Sequence, residues 1–142
     1  MKLAEHLRAL AERIGSGWDF GFASLAGLDR MALGRRGERI AERHLRRRGY
    51  RILERNFCAA GAEIDLVALD GDTLVFVEVK TRRTAASGTP AESVHPLKQS
   101  RLRRAAEMYA LSRHAQDRAM RFDVVEVHAG PARHLELLRD AF

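Results

Sequence analysis

The spacing of apolar residues along this chain switches between the helical and the strand period, and each switch marks an element. Leu3, Leu7, Leu10, Ala11 and Ile14 recur at helical intervals, so residues 1 to about 14 predict an amphipathic helix, stopped by Gly15-Ser16-Gly17. The Trp18-Asp19-Phe20-Gly21-Phe22 stretch that follows is aromatic but broken by glycine. It is expected either to dock on the domain or a second subunit, or to be a disordered leader. From about Arg30 to Arg48 the stripe Leu33, Gly37, Ile40, Ala41, His44 and Leu45 predicts a second helix, with Gly49 as its stop. Tyr50 to Phe57 reads as a strand and Cys58 to Ala62 as a small-residue loop. Two runs rich in Val, Leu and Ile then flank Asp70-Gly71-Asp72, the signature of a β-hairpin. Residues 81–96 are poor in large apolar side chains and predict an exposed, mobile loop that orders on a substrate. Helical spacing returns over Leu97 to about Ser112, with Leu102, Ala105, Ala106 and Tyr109 inward. A strand over Arg121 to Val127, a turn at Ala129-Gly130-Pro131 and a short strand near His134 to Leu138 complete the pattern. A chain of 142 residues holds one domain with a real core, so the expected division is an extension over residues 1–30 and a domain over residues 31–142.

The hairpin carries the candidate chemistry. Side chains alternate along a strand, so Asp65, Val67 and Leu69 share one side, as do Leu74, Phe76, Glu78 and Lys80. A two-residue Gly71-Asp72 turn, or a four-residue loop from Asp70 to Thr73, sets Leu69 opposite Leu74 and Val67 opposite Phe76. Asp65 then falls opposite Glu78, with Cβ atoms about 4.5–5.5 Å apart. An Asp70-Gly71 turn instead brings Glu63 opposite Glu78 on the same face, and only an odd-length loop without a bulge separates Asp65 from Glu78. Two carboxylates among Val, Leu and Phe repel and are costly to desolvate. A divalent cation removes that penalty, and so few hard oxygen ligands suit Mg2+ or Mn2+. Lys80, two residues beyond Glu78 on its face, can orient or deprotonate a metal-bound water and offset phosphate charge. Only three of the 25 basic residues are Lys, and Lys, unlike Arg, can release its proton. The plain alternative is a half-exposed hairpin in which Lys80 is a cross-strand salt partner.

Charge changes the picture next. The net charge is +6, and the stretch Arg35 to Arg55 alone holds nine Arg against Glu38, Glu42 and Glu54, a net of +6. That concentration predicts a face for a polyanion: Arg35, Arg36, Arg39 and Arg43 point mostly outward from the second helix, while Arg82 and Arg83 sit at the base of the exposed loop. Cys58 is the only cysteine, which excludes a disulfide framework and a cysteine-based zinc site, and the six His are dispersed without ligand spacing. Glu5, Arg8, Glu12 and Arg13 interrupt the first apolar stretch, so neither a signal peptide nor a membrane span is expected, and a cytoplasmic location fits.

Asp65 followed one strand later by Glu78-Val79-Lys80 resembles the PD-(D/E)XK motif of the restriction-endonuclease-like superfamily. The ordered set Gly34-Arg35-Arg36-Gly37-Glu38, Gly49-Tyr50, Asn56, Glu63 to Val67, Val75 to Arg82 and Arg121 to Val125 is similar to the YraN-like family, small bacterial proteins akin in fold to archaeal Holliday-junction resolvases. The resemblance runs from about Leu33 to Phe142, with Ile64 in place of Pro before the Asp and Ala62 where the family usually has Gly. It implies an α/β fold with a restriction-endonuclease-like core: a mixed sheet, an antiparallel hairpin carrying the site, and flanking helices. The metal ligands it implies are Asp65, Glu78 and the Val79 carbonyl, with Glu38 direct or through water; Lys80 positions the attacking water. For Glu38 an ion pair with a nearby Arg is the competing reading. Lys98, with Gln99, matches polar positions near the metal in relatives, against plain helix-surface charge, and Lys98 and Arg101 are also expected to contact nucleic acid.

The expectation is therefore a Mg2+- or Mn2+-dependent nuclease acting on nucleic acid, DNA in preference, by shape or without selectivity, with a homodimer favoured only by a two-fold substrate. The alternatives are a non-catalytic nucleic-acid-binding module of the same fold, and attachment to a membrane surface through the first helix.

Overall fold

The structure, a computed structural model, describes residue 25 and residues 27–83, 94–130 and 133–142. The expected first helix, the Trp18 to Phe22 stretch and most of the loop after Lys80 lie outside the described residues.

The elements run α1 (Arg30–Arg47), β1 (Arg51–Ala59), β2 (Ala62–Asp70), β3 (Thr73–Arg82), α2 (Pro96–Ser112), β4 (Met120–His128) and β5 (His134–Leu138). One sheet is formed in the order β1-β2-β3-β4-β5. All neighbours pair antiparallel except β3 and β4, which are parallel and joined through α2 as such a pair requires. α1 covers one face and α2 the other, which makes a mixed-sheet α/β sandwich consistent with the restriction-endonuclease-like core.

Local chemistry accounts for the boundaries. Asp29 caps α1 by accepting a hydrogen bond from the Ala32 N–H at 2.8 Å, and the helix buries the expected stripe of Leu33, Gly37, Ile40, Ala41, His44 and Leu45. His95 accepts from the Leu97 N–H at 3.2 Å and Pro96 occupies the first turn of α2, so His95 is a cap rather than a plain loop residue. Two strands run further than the apolar pattern indicates. β1 continues to Ala59, because Ala60 and Gly61, at φ 51° and 71°, make the tight turn that the small-residue stretch only hinted at. β3 continues through Thr81 and Arg82, because β4 pairs with it as far as Arg82 opposite His128.

β3 is the central strand, with Leu74 to Val77 all buried. Leu74 and Phe76 pack under α2 while Val75 and Val77 pack under α1. On β2 this alternation slips. Ile64 belongs to the α2 layer, yet Leu66, two residues on, belongs to the α1 layer, followed by Val67 back in the α2 layer. Residues two apart in a regular strand share a face, so β2 turns about its axis at Asp65. Directly across on β1 the register places Asn56, whose φ of 51° lies in the left-handed region that Asn tolerates.

Candidate active site

The twist at Asp65 creates the site. The β2–β3 register pairs Asp70 with Thr73, Leu69 with Leu74 and Val67 with Phe76, so Gly71-Asp72 is the turn, and pairing ends at Leu66 opposite Val77. On the next rung Asp65 faces Glu78, but no backbone pairing continues there. The Asp65 carboxylate takes the place of a strand carbonyl and accepts the Val79 N–H at 2.7 Å. Asp65 is thereby fixed between the two helical layers.

Asp65, Glu78, Lys80, Lys98 and Glu38, all expected at the site, come together here. Glu78 is 5% exposed, and its Oε1 takes Lys80 Nζ at 3.2 Å together with Lys98 Nζ from the first turn of α2. Its other oxygen, Oε2, is buried without a hydrogen-bond partner. Glu38 arrives from α1 because Gly37 lets that helix touch β3: a Cβ at Gly37 would lie 1.8 Å from Thr81 Oγ1. Asn56 Nδ2 then bridges Glu38 at 3.3 Å and Glu63 at 2.9 Å. This link makes Asn56 and Glu63, both among the motifs that carry the resemblance, part of the surroundings of the site.

The electrostatics follow from the geometry. Burial first, then the charges of Glu78 and Glu38, push the Asp65 carboxyl well above the usual carboxylate range, against the opposing pull of the Val79 N–H and Lys98. Burial works against the Lys98 ammonium, but its bond to Glu78 and the nearby Asp65 more than offset that and hold it above its ordinary value. A desolvated pair of repelling carboxylates, one with an orphaned oxygen, is a donor set of the hard-oxygen type, and Asp65 with Glu78 fits a divalent cation. Glu38 does not complete a tight trio, since Glu38, Asp65 and Glu78 do not all approach within 4.8 Å.

The basic residues divide. Arg35, Arg39, Arg43 and Arg101 are exposed, the first three one turn apart on α1. Arg36 is half-buried. Arg82 is tied to Glu126, and Arg83 donates to the Leu28 carbonyl, so neither side chain stands ready for phosphate as expected of the loop base. Lys98, expected on nucleic acid, sits on Glu78 instead. Arg46 and Arg55 are spent on Glu42, at 3.0 and 2.6 Å. None of the described helices is long and apolar enough to cross a membrane.

Residues 37–127 match the model of the uncharacterised protein family UPF0102. A UPF0102 protein of Geotalea daltonii is 45% identical over 118 residues, which span 80% of this chain and 91% of the relative. One from Beutenbergia cavernae is 50% identical over 105 residues, 72% of this chain and 89% of the relative. One from Caldicellulosiruptor saccharolyticus is 40% identical over 118 residues, 81% of this chain and the whole of the relative. The matched stretch opens at Gly37, the residue that seats α1 on β3, and includes Glu38, Asn56, Asp65, Glu78, Lys80 and Lys98.

Proposed function

This chain belongs to UPF0102, the YraN family of the restriction-endonuclease-like superfamily, and from that premise we propose that it is a metal-dependent nuclease cleaving phosphodiester bonds of DNA. The single observation that carries the reading is the unfinished rung: Asp65 and Glu78 are desolvated together, one Glu78 oxygen is orphaned, and the Val79 N–H is taken by the Asp65 carboxylate. A fold selected for stability alone has no reason to keep such a pair.

Asp65, Glu78 and the Val79 carbonyl hold Mg2+ or Mn2+, with Glu38 reaching it through water. Such an ion acidifies a water and polarises the phosphoryl oxygens. Lys80 Nζ, anchored 3.2 Å from Glu78 Oε1, orients the attacking water and counters charge on the phosphate. Lys98 Nζ donates to the same Glu78 oxygen. Arg35, Arg39 and Arg43 grip backbone phosphates, contacts that position without reading sequence, so selectivity is by shape.

The test is cleavage of junction, flap and single-stranded DNA with Mg2+ by wild type, Asp65→Ala and Lys80→Ala. Wild type cuts and both variants lose the activity; cleavage that survives either substitution overturns the reading. A second reading has an observation of its own. Lys80 and Lys98 already bracket Glu78, so the cluster is partly self-neutralised without a metal, as a binding module of this fold would be. Calorimetric Mn2+ titration separates the two, since a pure binding module takes up no ion that depends on Asp65.

A further inference from the structure

Dispersed along the sequence, two of the six histidines nevertheless meet. β4 and β5 pair so that His128 opposes His134 and Glu126 opposes Glu136, which puts all four on one side of the sheet. The His128 and His134 rings stack at 4.0 Å between centroids, 7° from parallel. Glu136 Oε1 lies 3.1 Å from His134 Nε2 and 4.0 Å from His128 Nε2. Among the described residues these three are the one set of His, Cys, Asp or Glu whose ligand atoms all fall within 4.8 Å of each other.

We propose that His128, His134 and Glu136 form a second metal site, for a borderline transition ion such as Zn2+, separate from the hard-oxygen pair at Asp65 and Glu78. The distances suit it. Bonds of about 2.0–2.1 Å to imidazole nitrogen and carboxylate oxygen set tetrahedral ligand atoms about 3.3 Å apart, and 3.1 and 4.0 Å bracket that value. The rings stack rather than converge, so both turn about their Cβ–Cγ bonds to aim their Nε2 lone pairs at one ion. Nitrogen donors select Zn2+ over Mg2+, which takes oxygen.

A further observation supports a ligand. His128 Nε2 is buried without a hydrogen-bond partner, the condition a metal bond relieves. Three protein ligands leave a fourth position open. The pairing of Glu78 with Val124 and Lys80 with Glu126 puts His128, two residues beyond Glu126, on the Glu78 side of the sheet. The family match stops at residue 127, one short of His128, so the site is not part of the stretch that defines the family.

The test is Zn2+ and Co2+ titration of the full chain by calorimetry and visible absorption, beside His134→Gln, Glu136→Gln and Asp65→Asn. Asp65→Asn is expected to bind one ion with Co2+ bands of tetrahedral intensity, and wild type to bind that ion besides any held at Asp65 and Glu78. His134→Gln and Glu136→Gln should weaken binding beyond the roughly 10–100-fold that losing a mere supporting partner costs. Metal-free melting curves of both variants show that the fold is kept; if one is unfolded, the other decides. Binding that survives both substitutions, or that disappears with Asp65→Asn, overturns the proposal. Cleavage is not the readout, so failure here leaves the nuclease reading standing, and the reverse also holds.

Discussion

Two buried carboxylates sit almost back to back in the centre of the sheet, and they are treated in opposite ways. Asp123 on β4 is fully buried on the α1 side and fully bonded: it accepts from the Tyr50 hydroxyl at 3.0 Å, from Arg121 Nε at 2.8 Å and Nη2 at 3.0 Å, and from the Asp140 N–H at 3.0 Å. Arg121 in turn holds Asp70 at 2.9 Å and packs over the Tyr50 ring. Glu78 on β3, whose strand partner on β4 is the adjacent Val124, is buried on the α2 side with one oxygen crowded by two ammonium groups and the other bare. A satisfied buried charge holds elements together; an unsatisfied one is kept for something not of the chain. Asp123 ties β4, the end of β1's approach and the C-terminal residues into one network. Asp65 ties the Val79 N–H, which an Asn oxygen would accept as well.

The sharpest test substitutes each acid by its amide. Asp65→Asn keeps an oxygen for the Val79 N–H and removes a charge that Glu78 and Glu38 repel, so stability of the metal-free protein should hold or rise while Mg2+-dependent cleavage falls by on the order of 10²-fold or more. Asp123→Asn leaves the half-buried Arg121 with Asp70 as its one carboxylate and removes the fully buried charge that the Tyr50 hydroxyl, Arg121 and the Asp140 N–H all bond. The expected cost is about 3–5 kcal/mol, a fall in Tm on the order of 10–20 °C, read by denaturant and thermal melts. Equal stability losses for the two amides would erase the distinction.

The sequence carried the parts of this arrangement that depend on near neighbours. The α1 stripe is legible because helical spacing places Leu33, Ile40, Ala41 and Leu45 on one side, and the turn at Gly71-Asp72 sets the register that brings Asp65 to Glu78. The α/β core itself came from the resemblance, whose ordered motifs span most of the elements. What periodicity missed is made by partners far apart in the chain. No period marks Asp123, because bonds that hold it come from residues 73 positions earlier and 17 later. Asn56 joins Glu38 to Glu63 only once β1 pairs with β2 at a twist, and the His128–His134 contact needs the β4–β5 register. A period shows which face a residue takes, but not that the face changes at Asp65.

The two clusters also titrate in different windows. Burial, then the Asp123 charge and its hydrogen bond, push the Tyr50 phenol up to about 12 from 10. The folded value lies above the unfolded one, so this contribution to stability is complete below pH 10 and is lost as pH rises through 12. A shift of that size corresponds to about 2–3 kcal/mol. Measured against Tyr50→Phe in urea melts, the wild-type advantage should shrink over that alkaline range and stay flat at neutral pH. Asp65 is raised too, and by the same sign its contribution is complete in acid and lost as pH rises past the ordinary carboxylate range. Metal-free melts of wild type against Asp65→Asn should therefore diverge between acid and neutral pH. A Tyr50 effect at neutral pH, or none at Asp65, would show that the clusters do not differ as described.

On the surface of α1 the same contrast recurs at lower stakes. Arg46 and Arg55 both hold Glu42, whose carboxyl the Arg55 bond, then Arg46, keeps below its usual range. Arg35 and Arg39, exposed on the same helix, have no carboxylate partner among the described residues. If partnered charge is structural and unpartnered charge is for a ligand, Arg35→Ala should weaken DNA binding evenly across sequences and flatten the plot of log affinity against log salt by about 1. Arg46→Ala should leave that slope alone and cost no more than about 0.5–1 kcal/mol of stability, as an exposed pair does. Fluorescence anisotropy over a salt series measures both variants in one experiment. Should Arg46→Ala flatten the slope as much as Arg35→Ala, Glu42 does not withhold its arginines from phosphate, and the rule drawn from Asp123 and Glu78 stops at the protein interior.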